Sequence, residues 1–138
     1  MILEALTCLA LNVYFEAQNQ STAGKLAVSH VVINRVNSPR YPNDICSVVQ
    51  ESIMYSGTQR PILNQCQFSW YCDGKSDQPR DMKAWANAMS VAITVLEGQP
   101  DITDGAVNYH ATSVFPPWAA HKVKTTQIDD HIFYRERK

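Results

Sequence analysis

The stretch ILEALTCLALNVYFEAQNQ, residues 2–20, places apolar side chains at positions 2, 3, 5, 6, 9, 10, 13 and 14. That spacing follows the helical period on a wide face, so a buried helix is expected from Ile2 to about Ala17. An acid, Glu16, stands where this helix meets the amides Gln18, Asn19 and Gln20. A negative charge at a helix C-terminus is opposed by the helix dipole by about 0.3–1 kcal/mol. Phe15 and Ala17 flank it, so part of the carboxyl is expected to leave water, which raises its pKa toward the range of a general acid. The bland alternative is an exposed acid at a helix end.

Moving outward, Ser21 or Thr22 caps a second helix through AGKLAVSHVVINRV, with Ala27, Val28, Val31, Val32 and Arg35 at helical spacing. Ser38-Pro39 stops it, and Asn43 or Asp44 opens a short third helix in NDICSVVQES. Residues 56–75 read as a long loop with one short strand around QCQFSWY. Loops of that length in a small domain are usually functional. Asp77 and Pro79 open a helix that runs through DMKAWANAMSVAITVLEG and is ended by Gly98. Beyond Pro100, AVNYHAT, KVKTTQI and HIFYR read as extended, the last two joined at Asp129-Asp130 as a hairpin. The expected class is α+β, a mainly helical body with a small C-terminal β element.

Composition narrows the functions. With 138 residues, 45% of them hydrophobic, the chain suits one domain spanning 1–138. Lys plus Arg total 12 against 13 for Asp plus Glu, leaving a net charge of -1 and no field to gather nucleic acid. No apolar run approaches the ~20 residues of a membrane span. The N-terminus lacks a basic region and carries Glu4, so no signal peptide is expected, although whether Met1 is the natural start stays open. Cys8 reads as a small core residue, while Cys46, Cys66 and Cys72 lie nearer loops and offer one disulfide whose pair the sequence leaves open.

Aromatic residues cluster in two loops, Phe68, Trp70 and Tyr71 in QFSWYCDG and Tyr109, Phe115 and Trp118 in NYHATSVFPPW. Phe68 and Phe115 are expected to plug the core edge. Rings interleaved with Ser69, Asn108, His110 and Ser113 also suit a groove that stacks on sugar faces and hydrogen-bonds their hydroxyl and acetamido groups. His30, His110, His121 and His131 do not fall at zinc-hydrolase spacings, and His30 reads as a core or edge histidine, so no metal or other cofactor is expected. Cys46, at a helix start, is a weaker candidate as a thiol nucleophile.

The run NVYFEAQNQSTAGKLAVSHVVINRV, followed by QCQFSWYCDG, VLEG, NYHA and HIFYR, resembles the SleB/CwlJ-type cell wall hydrolases, the spore-cortex-lytic enzymes and their relatives. The likeness extends from about Leu6 to Arg135. It implies a lysozyme-like or transglycosylase-like fold and a peptidoglycan glycosidase in which Glu16, at the end of the first core helix, performs the chemistry. It also implies Phe68, Ser69, Trp70, Asn108, Tyr109 and His110 as groove residues, with His131 orienting the cleft or supporting the fold. The expected partner is the glycan strand of peptidoglycan, cut by a monomer between N-acetylmuramic acid and N-acetylglucosamine. The missing export signal and wall-binding module fit an endolysin of a phage or prophage, made in the cytoplasm and released to the wall.

Glycoside hydrolysis usually needs two carboxyl groups. No obvious partner for Glu16 stands out, and Asp44, Glu51 and Asp73 are candidates only by their place near helix starts or loops. A lytic transglycosylase needs one acid, because the C6 hydroxyl of muramic acid is the nucleophile. That is the expected reaction. A hydrolytic muramidase is the nearest alternative, with a metal-dependent amidase and a non-catalytic wall-binding module further off.

Overall fold

The computed structural model describes residues 2–137, so Met1 and Lys138 lie outside the described residues. The chain runs α1 (Ile2–Ala17), α2 (Thr22–Val36), α3 (Ile45–Val49), β1 (Ser52–Met54), β2 (Pro61–Cys66), a 3-10 turn (Ser69–Cys72) and α4 (Met82–Leu96). It continues through β3 (Asn108–Ala111), a second 3-10 turn (Pro117–His121), β4 (Val123–Ile128) and β5 (His131–Arg135). The class is the expected α+β.

The caps explain the helix starts. Ser21 Oγ accepts from the Gly24 amide, Asp44 from Ser47 and Asp81 from Ala84, each satisfying an N–H that the helix cannot. The fourth helix therefore begins at Met82, later than Asp77 and Pro79 suggest. Its start is also held from α1, since the Tyr14 hydroxyl accepts from the Arg80 and Asp81 amides.

Leu9 and Ala10 of α1, Val32 of α2, Val48 and Val49 of α3 and Ala92 and Val95 of α4 close around Phe68 and Trp70 in one apolar core. A smaller cluster joins Ala27 and Val31 of α2 to Ala106 and Phe133, which seats the C-terminal sheet on α2. That sheet is antiparallel in the order β3-β5-β4, with Tyr109 opposite Phe133 and Ala111 opposite His131. The β4–β5 turn is locked to the helical body, because Asp129 Oδ2 accepts from Ser21 N at 2.8 Å and Ser21 Oγ at 2.6 Å. Gly24 makes room for this contact: a Cβ there would lie 2.5 Å from Asp129 Oδ2.

Two readings of the sequence are corrected. Residues 56–75 contain the second strand of a β1–β2 hairpin and a 3-10 turn. The hairpin was hard to read because its middle faces water on both sides, and Asn64 takes φ 62 within β2, so no alternation marks it. Cys8 is not a free core thiol. It bonds to Cys46, and Cys66 bonds to Cys72, so there are two disulfides and Cys46 offers no nucleophilic thiol. In the chain-entropy account, linking partners 38 residues apart stabilises by about 4 kcal/mol and linking partners six apart by about 2 kcal/mol. The first tie joins α1 to α3; the second closes the loop that presents Phe68.

Candidate active site

Glu16 sits in the last turn of α1, half-buried, where the C-terminal sheet and the loop after β2 meet the helices. The sheet supplies Tyr109, whose hydroxyl donates to Glu16 Oε1. Around this pair lie Arg35, Gln67, Phe68, Asn108 and Trp118, which together line a cleft of about 160 Å3. Glu16 is the sole carboxylate among these lining residues. Larger cavities exist elsewhere; the chemistry favours this one because it joins a half-buried acid, an aromatic donor and a buried cation.

Burial raises the Glu16 pKa above its ordinary value, and this outweighs the lowering by the Tyr109 hydrogen bond and by the charge of Arg35. The same burial pushes the Tyr109 hydroxyl well above its usual range, with the Glu16 charge adding to it, so the phenol stays a proton donor in the hydrogen-bond sense. Tyr109 is steadied by aromatic neighbours: His131 meets its ring edge-on at 4.8 Å and Phe133 lies at 5.5 Å. Burial lowers the His131 pKa against the opposing pull of Asp130 and Asp129, which favours a neutral ring.

Arg35 is only 4% exposed. Its Nε donates to the Val107 carbonyl at 2.7 Å, and its guanidinium lies 4.9 Å from the Tyr41 ring centroid and 5.2 Å from that of Phe68. The backbone bond and the ring contacts compensate part of the desolvation of this charge. It is thereby held beside the cleft as a fixed positive charge. Sequence reading placed Arg35 only in the helical period of α2. A basic residue in an otherwise apolar stripe was the available signal.

The residues expected in the groove divide. Phe68, Asn108 and Tyr109 line the cleft with Glu16. Ser69 is exposed beside it in sequence, outside the lining. Trp70 points inward, 6% exposed, stacked on Phe15 at 5.0 Å and donating from its indole to Asn12 Oδ1 at 2.9 Å. His110 is buried on the other face of β3, between Tyr134, which bonds its Nε2 at 2.8 Å, and the Ala111 carbonyl at its Nδ1. A carbonyl can only accept, so Nδ1 carries the proton and Nε2 accepts from Tyr134. Phe115, expected at the core edge, is 69% exposed. His30 is a satisfied buried histidine, 2.6 Å from Gln99 Oε1.

The remaining acids are elsewhere. Asp44 caps α3, Asp73 accepts from the Lys75 amide, and Glu51 lines a neighbouring cavity. Among the described residues, no group of three or more His, Cys, Asp or Glu side chains is placed to hold a metal ion.

The family model for cell wall hydrolases matches residues 19–134. The chain belongs to the cell wall hydrolase family. The matched span starts beyond Glu16, so the role of that residue rests on the site itself. Among curated proteins, the spore cortex-lytic enzyme of Bacillus subtilis (strain 168) is 24% identical over 126 residues, and that of Halalkalibacterium halodurans is 26% identical over 126 residues. Each match covers 91% of this chain but 35% and 33% of the relatives, so the chain spans about a third of their length. The catalytic domain of the Bacillus cereus SleB protein superimposes with a TM-score of 0.70 at 23% identity, over 95% of this chain and 89% of that one. The catalytic domain of the germination-specific lytic transglycosylase SleB from Bacillus anthracis does so with 0.71 at 22% identity, over 95% and 93%. At these identities the two structures establish the fold. No helix among the described residues is long and apolar enough to cross a membrane.

Proposed function

We propose that this member of the cell wall hydrolase family cleaves the β-1,4 bond between N-acetylmuramic acid and N-acetylglucosamine as a lytic transglycosylase, with Glu16 acting first as acid and then as base. The observation that carries this reading is the solitary, half-buried carboxyl of Glu16 in the cleft. The lytic transglycosylase named among the structural relatives agrees with it.

In this reading one acid takes part in every step. Burial keeps a fraction of Glu16 protonated at a pH where an ordinary glutamate is ionised. It passes its proton to the glycosidic oxygen as the bond to the muramic acid C1 breaks, and the glucosamine leaves as an alcohol. The ionised carboxylate is then held by the Tyr109 hydroxyl and the Arg35 charge. It takes the proton from the C6 hydroxyl of the same muramic acid while that oxygen bonds to C1. A 1,6-anhydro ring closes and Glu16 is protonated again, with no water consumed. An acid that works twice needs opposing influences on its pKa, and the cleft supplies both.

The cleft is small beside the ~300–1,000 Å3 of typical ligand pockets, so it suits the reacting bond and leaves the rest of the strand to neighbouring surfaces. The test is mass spectrometry of fragments released from purified peptidoglycan. Anhydromuropeptides from the wild type, absent with Glu16→Gln, are the expected result. Reducing ends would assign a hydrolytic muramidase, and equal digestion by both proteins would remove Glu16 from the reaction.

A further inference from the structure

A second cavity, of about 290 Å3, opens beside the cleft and is lined by Glu51, Ser52, Ile53, Asn64, Gln65, Cys66 and Gln67. Gln67 lines both hollows, so the two adjoin across a single side chain. The side chain accepts from Arg35 Nη1 at 3.5 Å, and the backbone that carries it is held from both sides. Its backbone amide donates to the Glu51 carbonyl at 3.0 Å, and Cys66 next to it is bonded to Cys72.

Two residues that line this second hollow, Glu51 and Ser52, each carry a polar atom that the fold leaves unexplained. Glu51 Oε1 and Ser52 Oγ are buried and have no hydrogen-bond partner among the described residues. Burying such groups unpaired is costly, and native structures tolerate few of them. Neither side chain has a bond to lose if it turns toward a ligand. A carboxylate acceptor beside a hydroxyl that both donates and accepts suits a partner bearing several hydroxyl and amide groups. Asn64 and Gln65 add amides to the rim.

We propose that the Glu51–Ser52 hollow is a saccharide subsite, holding the sugar next to the cleaved bond by its hydroxyl and acetamido hydrogens. This rests on the glycosidase reading of Glu16 for the direction of the strand, which passes over Gln67 from one hollow to the other. Glu51 is thus a binding residue rather than a second acid of the reaction. Peptidoglycan offers the required chemistry, since each sugar carries an acetamido N–H and free hydroxyls.

The experiment separates this claim from the reaction itself. A soluble tetrasaccharide of alternating N-acetylglucosamine and N-acetylmuramic acid is titrated calorimetrically into the full chain carrying Glu16→Gln, alone and with Glu51→Ala, Glu51→Gln or Ser52→Ala. Glu51→Ala is expected to weaken binding about tenfold or more, the scale of a hydrogen bond to a charged acceptor, with the other two weakening it less. Thermal unfolding is followed on the same proteins. Removing a carboxyl group whose buried oxygen has no partner is expected to leave Tm unchanged or raised, so weaker binding at undiminished Tm supports the subsite. Unchanged affinity in the Glu51 and Ser52 variants overturns it, and so does a loss of affinity matched by a loss of Tm. Because no bond is cut in this assay, failure of the transglycosylase reading would show separately, as glycan fragments of the wrong type from the wild type.

Discussion

Two carboxyl groups in this molecule meet the same leading influence and respond in opposite directions. At both Glu16 and Asp101 the largest effect is burial, which raises the pKa. Asp101 accepts from the Thr103 hydroxyl at 2.7 Å, the Thr103 amide at 2.8 Å, the Gly105 amide at 3.0 Å and the Asn34 amide at 3.0 Å. Those donors together outweigh burial and hold its pKa below the ordinary value. Glu16 has the Tyr109 hydroxyl and the Arg35 charge, and burial prevails. Fewer donors together with deeper burial separate a carboxyl poised to exchange a proton from a carboxylate that builds a turn.

The comparison is broken or sharpened most by Glu16→Gln, which keeps the shape and removes the proton exchange. Its kcat on peptidoglycan is expected to fall by about 10²–10⁴-fold, the usual contribution of general acid–base catalysis. Next is Tyr109→Phe. Losing the donor that lowers the Glu16 pKa raises that pKa further, so the alkaline limb of the kcat/KM profile is expected to move to higher pH. The ionised carboxylate also loses a stabilising bond, and kcat at neutral pH is expected to drop about tenfold.

At the turn, Asp101→Ala is expected to cost about 1–3 kcal/mol in chemical denaturation, because it strips partners from the buried Thr103 hydroxyl and from backbone amides. The depressed pKa of Asp101 gives stability that is present above its unfolded value and lost as pH falls through the folded one. Glu16 has the reverse sign. Its raised pKa gives stability that is complete below the ordinary value of 4.5 and lost as pH rises. The smallest expected effect follows: Glu16→Gln melts above the wild type at pH 8, and the gap closes by pH 4.

Much of this was legible in the sequence, for identifiable reasons. Helices α1, α2 and α4 announced themselves through apolar periodicity, and α2 and α3 through the caps Ser21 and Asp44, whereas the cap of α4 is Asp81 and not the Asp77 and Pro79 that the sequence suggests. The three C-terminal strands were legible because β3 and β5 each keep a buried face and Asp129-Asp130 marks the turn between β4 and β5. The hairpin at 52–66 was not, because solvent on both sides erases the pattern that a core imposes. Within the site, Glu16 stood out as an acid ending an apolar helix, and Tyr109 through its motif. Arg35 and Gln67 did not, since their approach to Glu16 depends on the sheet docking on α2 and on the Cys66–Cys72 loop. Trp70 illustrates the opposite error of reading. A loop tryptophan suggests a sugar platform, but the short loop turns it inward onto Phe15 and Asn12.

The central claim is that one carboxyl serves both halves of the reaction and that water takes no part. Digestion of peptidoglycan in water enriched in heavy oxygen tests this directly, by the mass of the released muropeptides. The expected result is anhydro ends free of the heavy isotope. Reducing ends that carry one heavy oxygen for each bond cut would show that water is the nucleophile, and the solitary position of Glu16 in its cleft would then need a second group to activate it.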